Sequence, residues 1–306
     1  MKKKSVWLMI SCLMVAALVL ASCAPAEEEE EVITPEEEEV VTPEEEVVTE
    51  REGMVKVTAT KIDGTTIELW KEKPKYGGEF ITSRSTDITG FDPVYTTGAS
   101  MATRYYTNEE LMREDYTKTA AGTGEGGYQT GEVFSGVHVG CLAESWEVPD
   151  DCTVIFHIRQ GMYWHDKPPV NGREFIADDV VYSYLRNYNT PGSWHYTQWP
   201  REVVEALEVT APDKYTVVIK APTAVAAEIL RVGGNWQFVI PREVVELYGD
   251  MTDWQVSCGT GPFELVDYVS MSAATFVRNP NYWQKHPWFG DQLPYVDSMK
   301  WLIIPD

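Results

Sequence analysis

The stretch from Leu142 to Arg186, LAESWEVPDDCTVIFHIRQGMYWHDKPPVNGREFIADDVVYSYLR, constrains the fold more than any other. Apolar and polar positions nearly alternate from Ala143 to Val148 and again from Thr153 to Arg159, the period of strands that bury one face. Pro149, Asp150 and Asp151 supply the turn between them, so an antiparallel pair is expected. Asp178 and Asp179 then open a helix, where carboxylates suit the free amides and positive dipole end of a first turn. Val181, Tyr184, Leu185 and Tyr188 follow at a spacing that places them on one buried face.

The order LAESWEV, turn, FHIRQGMYWHD, P, ADDVVYSYLR resembles the extracytoplasmic solute-binding proteins of ABC importers, in family 5, which binds dipeptides, oligopeptides and nickel complexes. YGGEF at Tyr76–Phe80, FDP at Phe91–Pro93, KYTVVIKAP at Lys214–Pro222, GTGPF at Gly259–Phe263 and RNPNYW at Arg278–Trp283 are similar to that family's segments, in its order. The resemblance covers about Tyr76 to Asp306 and implies an α/β, periplasmic-binding-protein-like fold of class II, the type with an extra subdomain. In that fold two lobes joined by crossing strands close on the ligand as a hinged clamp. Residues 76–142 and 208–306 are expected to form the first lobe, with the subdomain inserted at 143–207. WLIIPD at Trp301–Asp306 is expected to be the first crossing, which leaves the second lobe outside this sequence, together with the carboxylate that grips a ligand's amino end in the family. The resemblance also places Thr82–Pro93 at the cleft edge. There the backbone of Asp87, Ile88 and Thr89, followed by a break at Gly90, could pair with an extended peptide as an added strand would.

The N-terminal region speaks of a compartment. Lys2, Lys3 and Lys4 precede an apolar run from Val6 to Ala21, too short for a comfortable membrane span and closely followed by charge, so residues 1–22 are expected to be a signal peptide. Leu20, Ala21, Ser22 and Cys23 resemble a bacterial lipobox, which makes Cys23 the expected lipidated residue. Residues 24–52 hold 14 Glu and one Arg in three imperfect repeats broken by β-branched residues and proline, a segment that cannot bury a core. Within the lipid-anchored region 23–52 this spacer carries a net −13 of the chain's −23, so over half of the acidity says little about the ligand. As a flexible coil it would hold the body roughly 30 Å from its anchor. MVKVTATKIDGTTIELW alternates on both sides of Asp63 and Gly64, and residues 53–75 are expected to form a hairpin extension.

Catalytic and metal chemistry finds little support. Gly122, Gly124 and Gly127 spell G-x-G-x-x-G without the strand before and helix after that a dinucleotide needs, and read as a flexible surface loop. Asp178 and Asp179 are neighbours that point different ways, which favours capping over an acid–base pair. The five histidines, His138, His157, His165, His195 and His286, show no metal-binding spacing. Cys141, Cys152 and Cys258 form an odd set, and pairing Val148 with Thr153 would keep Cys141 and Cys152 apart. GTGPF reads as a tight turn needing positive φ at its glycines, and Tyr282 and Trp283 as packing residues. The 11 Trp and 16 Tyr suit concave sites that accept varied side chains or sugar faces, although most should pack the core. No cofactor, metal, catalytic residue or nucleic-acid partner is expected. The expected partners are a peptide or peptide-like solute, the permease and ATPase subunits of an ABC importer, and a membrane reached through the lipid anchor.

Overall fold

A computed structural model describes residues 53–95, 106–126, 138–233 and 237–305. Strands β1 (Met54–Thr60) and β2 (Thr66–Glu72) form the expected hairpin, in register from Met54 opposite Glu72 to Thr60 opposite Thr66. Gly64 turns it at φ +85°, and the Asp63 carboxylate accepts from Thr65 N–H at 2.9 Å. The hairpin docks through its tip and its second strand. Ile62 N–H donates to the Glu125 carboxylate at 3.0 Å, Lys71 to Ala121 O at 2.6 Å, Lys118 to Thr60 O, and Lys73 pairs with Asp291 at 3.0 Å.

After β3 (Glu79–Arg84), the short strands β4 (Met112–Glu114) and β5 (His138–Gly140) pair antiparallel. The first large sheet contains β6 (Ala143–Asp150), β7 (Thr153–Ile158), β8 (Glu208–Asp213) and β9 (Thr216–Lys220), in the antiparallel order β6-β7-β9-β8. Between β7 and β8 run helices α1 (Ala177–Asn189), α2 (Trp194–Gln198) and α3 (Arg201–Glu205). Phe156 and Ile158 of β7, Val217 and Ile219 of β9, and Val180, Tyr184 and Tyr188 of α1 meet in one core with Trp164 and Phe175. Full burial of each such side chain contributes about 1.5–3 kcal/mol.

Helices α4 (Ala226–Gly233) and α5 (Arg242–Tyr248) lead to the second sheet, built from β10 (Phe263–Val269), β11 (Ala273–Arg278) and β12 (Ser298–Ile303). Its order is β10-β11-β12-β3, with β12 and β3 parallel and the other pairs antiparallel. Its smaller core holds Ile88, Phe91, Phe263, Leu265, Ala274, Phe276 and Met299.

Several expectations need correction. Pro149 and Asp150 belong to β6, and the turn is the pair Asp151–Cys152. The ladder slips between Glu147 and Asp150, which accommodates a proline that has no N–H to give. The Asp150 carboxylate then accepts from Cys152 N–H at 2.8 Å and Thr153 Oγ1 at 3.1 Å. On α1 the buried stripe is Ala177, Val180, Tyr184 and Tyr188 with Ser183 and Asn187, while Leu185 is exposed. The boundary expected at 207 cuts a sheet in two, because β8 and β9 pair with β7, and Leu111, Met112 and Cys258 share that sheet's core. The loop around Gly122 and Gly124 is firmly bonded where it is described. Thr123 N–H donates to Thr117 O, Gly124 N–H to Thr119 O and Glu125 N–H to Lys118 O, each at 2.9 Å. A Cβ at Gly122 would lie 1.6 Å from Thr117 O, so close approach explains this glycine. Gly127 lies outside the described residues.

Candidate ligand-binding site

The segment that leaves β3 is held at both ends by aspartates. Asp87 turns inward, and its carboxylate accepts from its neighbour Ile88 N–H at 2.8 Å, from Tyr268 Oη at 2.9 Å, from Ser270 Oγ at 2.7 Å and from Met271 N–H at 2.9 Å. Burial pushes its pKa up, but these donors outweigh it and hold the carboxyl below the usual range. Three of them sit on β10 or in the β10–β11 turn, where Met271 is held at φ +57°, a conformation that β-carbon-bearing residues adopt at a cost.

Ile88 is buried against the Phe91 and Leu265 core, and its carbonyl lies 3.3 Å from Tyr268 Oη. Its N–H is therefore spent on Asp87, its carbonyl faces the scaffold, and the expected strand-like pairing at Ile88 is not open. Thr89 is exposed, and a Cβ built on Gly90 would meet nothing within 4 Å. These two residues form the accessible tip.

The other end is Asp92, 1% exposed, gripped by a bidentate Arg186 at 2.9 and 2.6 Å. Val94 N–H and Met251 N–H complete it, each at 3.0 Å. Arg186 lies in the last turn of α1, so the tip is tied to the helix as well as to the second sheet. Sequence reasoning recognised FDP only as part of a resemblance. The signal it missed was an arginine on the partly buried flank of a helix, which needs a carboxylate partner.

Asp179 also works as scaffold. At the third helical position it accepts Ile176 N–H at 3.0 Å, Trp164 Nε1–H at 3.2 Å and both terminal nitrogens of Arg173, at 2.8 and 2.6 Å. Arg173 continues to Glu243 at the start of α5. Asp178 is exposed, so the two carboxylates do not converge.

His165 and GTGPF join the two sheets. His165 N–H donates to Gly259 O at 2.8 Å, Nδ1 accepts Gly259 N–H at 3.2 Å, and Nε2–H donates to Gly261 O at 3.0 Å. Burial lowers the imidazole pKa to about 4, the Gly261 carbonyl opposing and Lys167 assisting, so the ring is neutral. Neither Gly259 nor Gly261 has positive φ, contrary to expectation. Their role is clearance, since a Cβ would stand 1.8 Å from Thr107 O at Gly259 and 2.6 Å from Tyr106 O at Gly261.

A second polar cluster surrounds Glu109, which precedes β4 and is buried. Its carboxylate meets Tyr282 Oη at 2.9 Å, Trp283 Nε1–H at 3.1 Å and Cys141 Sγ–H at 3.4 Å. Burial raises its pKa despite these donors and the nearby Arg113 charge. Tyr282 and Trp283 thus pack the body and also donate to this acid, a role their sequence positions did not disclose. The cluster borders a cavity of about 350 Å³ lined by Arg113, Gln284, Phe238, Phe263 and Leu293 among others.

Cys141, Cys152 and Cys258 are free thiols. Among the described residues no group of three or more His, Cys, Asp or Glu could hold a metal ion, and no helix is long and apolar enough to cross a membrane. Cys23 lies outside the described residues.

Comparison with known proteins gives this arrangement a context. The chain is 29% identical over 191 residues to a dipeptide-binding protein of Escherichia coli, covering 58% of this chain and 34% of that protein. It is 30% identical over 181 residues to heme-binding protein A of Haemophilus influenzae, covering 54% and 31% respectively. The chain thus spans about a third of the length of these curated relatives. Among solved structures it is similar to the periplasmic binding protein DppA of Helicobacter pylori in complex with the peptide STSA, with TM-score 0.58 and 22% identity over 76% of this chain and 44% of that one. The oligopeptide-binding protein AppA of Bacillus subtilis, in complex with a nonapeptide, gives TM-score 0.58 and 21% identity over 76% and 41%. The partial α/β fold is therefore that of the periplasmic binding proteins. The profile of the bacterial extracellular solute-binding proteins, family 5 Middle, matches residues 138–306, more than half of the chain, and the protein belongs to that family.

Proposed function

We propose that this chain is the first-lobe portion of the substrate-binding lipoprotein of an ABC importer, which captures peptides or peptide-like solutes outside the cytoplasmic membrane and delivers them to a permease driven by ATPase subunits. It holds its solute without making or breaking a bond. Cys23 carries the lipid, and the acidic spacer sets the body off from the membrane. The observation that carries this reading is the tip at Thr89 and Gly90, accessible and fixed between the Asp87 and Asp92 anchors, in a chain whose relatives include proteins named for binding peptides. A rigid tip loses little freedom on meeting an extended peptide backbone, and closure draws its free energy from the difference in ligand affinity between open and closed states.

Isothermal titration of the mature protein against a peptide mixture, an oligosaccharide mixture and a nickel chelate tests the assignment. Heat with peptides alone is expected. A response confined to the saccharides or the nickel chelate, or new hydrolysis products in the spent mixture, overturns it. Radiolabelled palmitate should mark the wild type and be lost in Cys23→Ala, with release of the protein from membranes. Persistence of the label in that variant would remove Cys23 from the scheme.

A further inference from the structure

The cavity beside Glu109 contains nitrogen donors that the protein leaves unused. Arg113 follows Met112 on β4, and its guanidinium makes one hydrogen bond, from Nη1 to Gln284 Oε1 at 2.6 Å. Its Nε is buried without a partner, and Nη2 makes no hydrogen bond among the described residues. The guanidinium carbon lies 5.8 Å from the centre of the Trp283 ring, and no carboxylate among the described residues lies within ion-pair distance of it. The nearby Glu109 is occupied by Tyr282, Trp283 and Cys141 and driven toward its neutral form by burial, and Glu110 has partners of its own.

Gln284 repeats the pattern. Donation from Arg113 fixes its oxygen toward the arginine, and its Nε2 group then makes no hydrogen bond among the described residues. A half-buried arginine fork with spare N–H groups next to a spare amide NH₂ calls for a planar acceptor of negative charge. The remaining lining is largely apolar, Phe238, Phe263, Pro262, Leu293 and Pro294, with Asn108 and Tyr295 as its other polar residues. At about 350 Å³ the cavity falls at the small end of ligand pockets.

We propose that this cavity is a second binding site, taking the carboxylate of a small molecule with an apolar body. The carboxylate bonds to Arg113 and to Gln284 Nε2, and the body lies on Phe238, Phe263 and Leu293. The site is separate from the Thr89–Gly90 tip and does not depend on the transport reading. Its carboxylate could come from a free organic acid or from the C-terminus of a short peptide, which share this chemistry.

The test is isothermal titration of the mature protein with 3-phenylpropanoate, its neutral amide, the dipeptide Ala-Phe and Ala-Phe amide. The acids should bind at least about tenfold more tightly than the matching amides, the scale of a lost charged hydrogen bond. Binding of phenylpropanoate with no response to the dipeptide identifies free acids as the source, and the converse identifies peptide termini. Arg113→Met should weaken acid binding by at least about tenfold, and Gln284→Glu, which sets a negative charge opposite the ligand, should abolish it. Where thermal melting shows Arg113→Met unfolded, Gln284→Glu decides. Equal binding of acids and amides, silence with all four probes, or undiminished acid binding by a folded variant overturns the proposal. Arg113→Met should leave tip binding of longer peptides intact, so loss of one site is read apart from loss of the other.

Discussion

Asp87 and Asp92 hold the two ends of one short segment, and each carboxylate accepts four hydrogen bonds. They differ in depth. Asp92 is sealed between α1 and the turn at Met251 with a guanidinium as partner, whereas Asp87 lies near the surface and is met by hydroxyls and backbone N–H groups. Bond number is therefore a poor guide to what each contributes. Removing one member of a buried charge pair strands the other in a medium that solvates it badly, while a surface group is resolvated by water.

The sharpest way to break this comparison is Asp92→Ala. It should lower stability by about 3–5 kcal/mol, because Arg186 is left buried and uncompensated. Urea unfolding reads the loss, and a cost no larger than that of Asp87→Ala would show that depth does not matter here. The pH dependence comes next. His165 has its pKa depressed to about 4 from an ordinary 6.5, so below about 6.5 the unfolded chain binds a proton that the folded chain refuses. Stability should fall by roughly 3 kcal/mol between pH 6.5 and 4 and level off below, a slope that His165→Gln removes. Glu109, its pKa raised by burial, acts in the opposite sense, gaining stability for the fold as pH falls through its folded-state value.

Gly259→Ala forces a methyl against the Thr107 carbonyl and should cost roughly 2–3 kcal/mol, measurable as a lowered melting temperature. The smallest effect belongs to the shallow anchor. Asp87→Ala should cost about 1–2 kcal/mol while sharply increasing hydrogen exchange at Met271 N–H, which loses its acceptor. Unchanged exchange there would remove the reason for the positive φ at Met271.

How much of this was legible in the sequence follows from the range of each interaction. The β6–β7 pair, α1 and the β1–β2 hairpin were readable because their signals lie within a few residues of one another. The misplaced turn at Pro149 and the wrong stripe on α1 mark where tertiary contact overrides a local pattern. Leu185 has the spacing of a buried residue, yet it is exposed and belongs to neither core. The segment Thr82–Pro93 drew notice only through the resemblance, which did not disclose the inward turn of Asp87, three of whose four donors stand more than 180 positions along the chain. The same holds for His165 with Gly259 and for Glu109 with Tyr282. Such pairs leave no periodic trace, and only the folded chain brings them together.

The way the hairpin sits has a mechanical corollary. Its open end is the Met54–Glu72 rung, where only β2 is held, by Lys71 to Ala121 and Lys73 to Asp291, and the opposite end is fastened by Ile62 to Glu125 and by Lys118 to Thr60. Tension drawn from residues ahead of Met54 therefore loads the rungs one at a time, like a zip, and each residue released lengthens the lead by about 3.3 Å. With β2 held by Lys71 and Lys73 while β1 peels away, a pull on β1 is absorbed by slack drawn from seven rungs before the far fastening at Thr60 and Ile62 is strained.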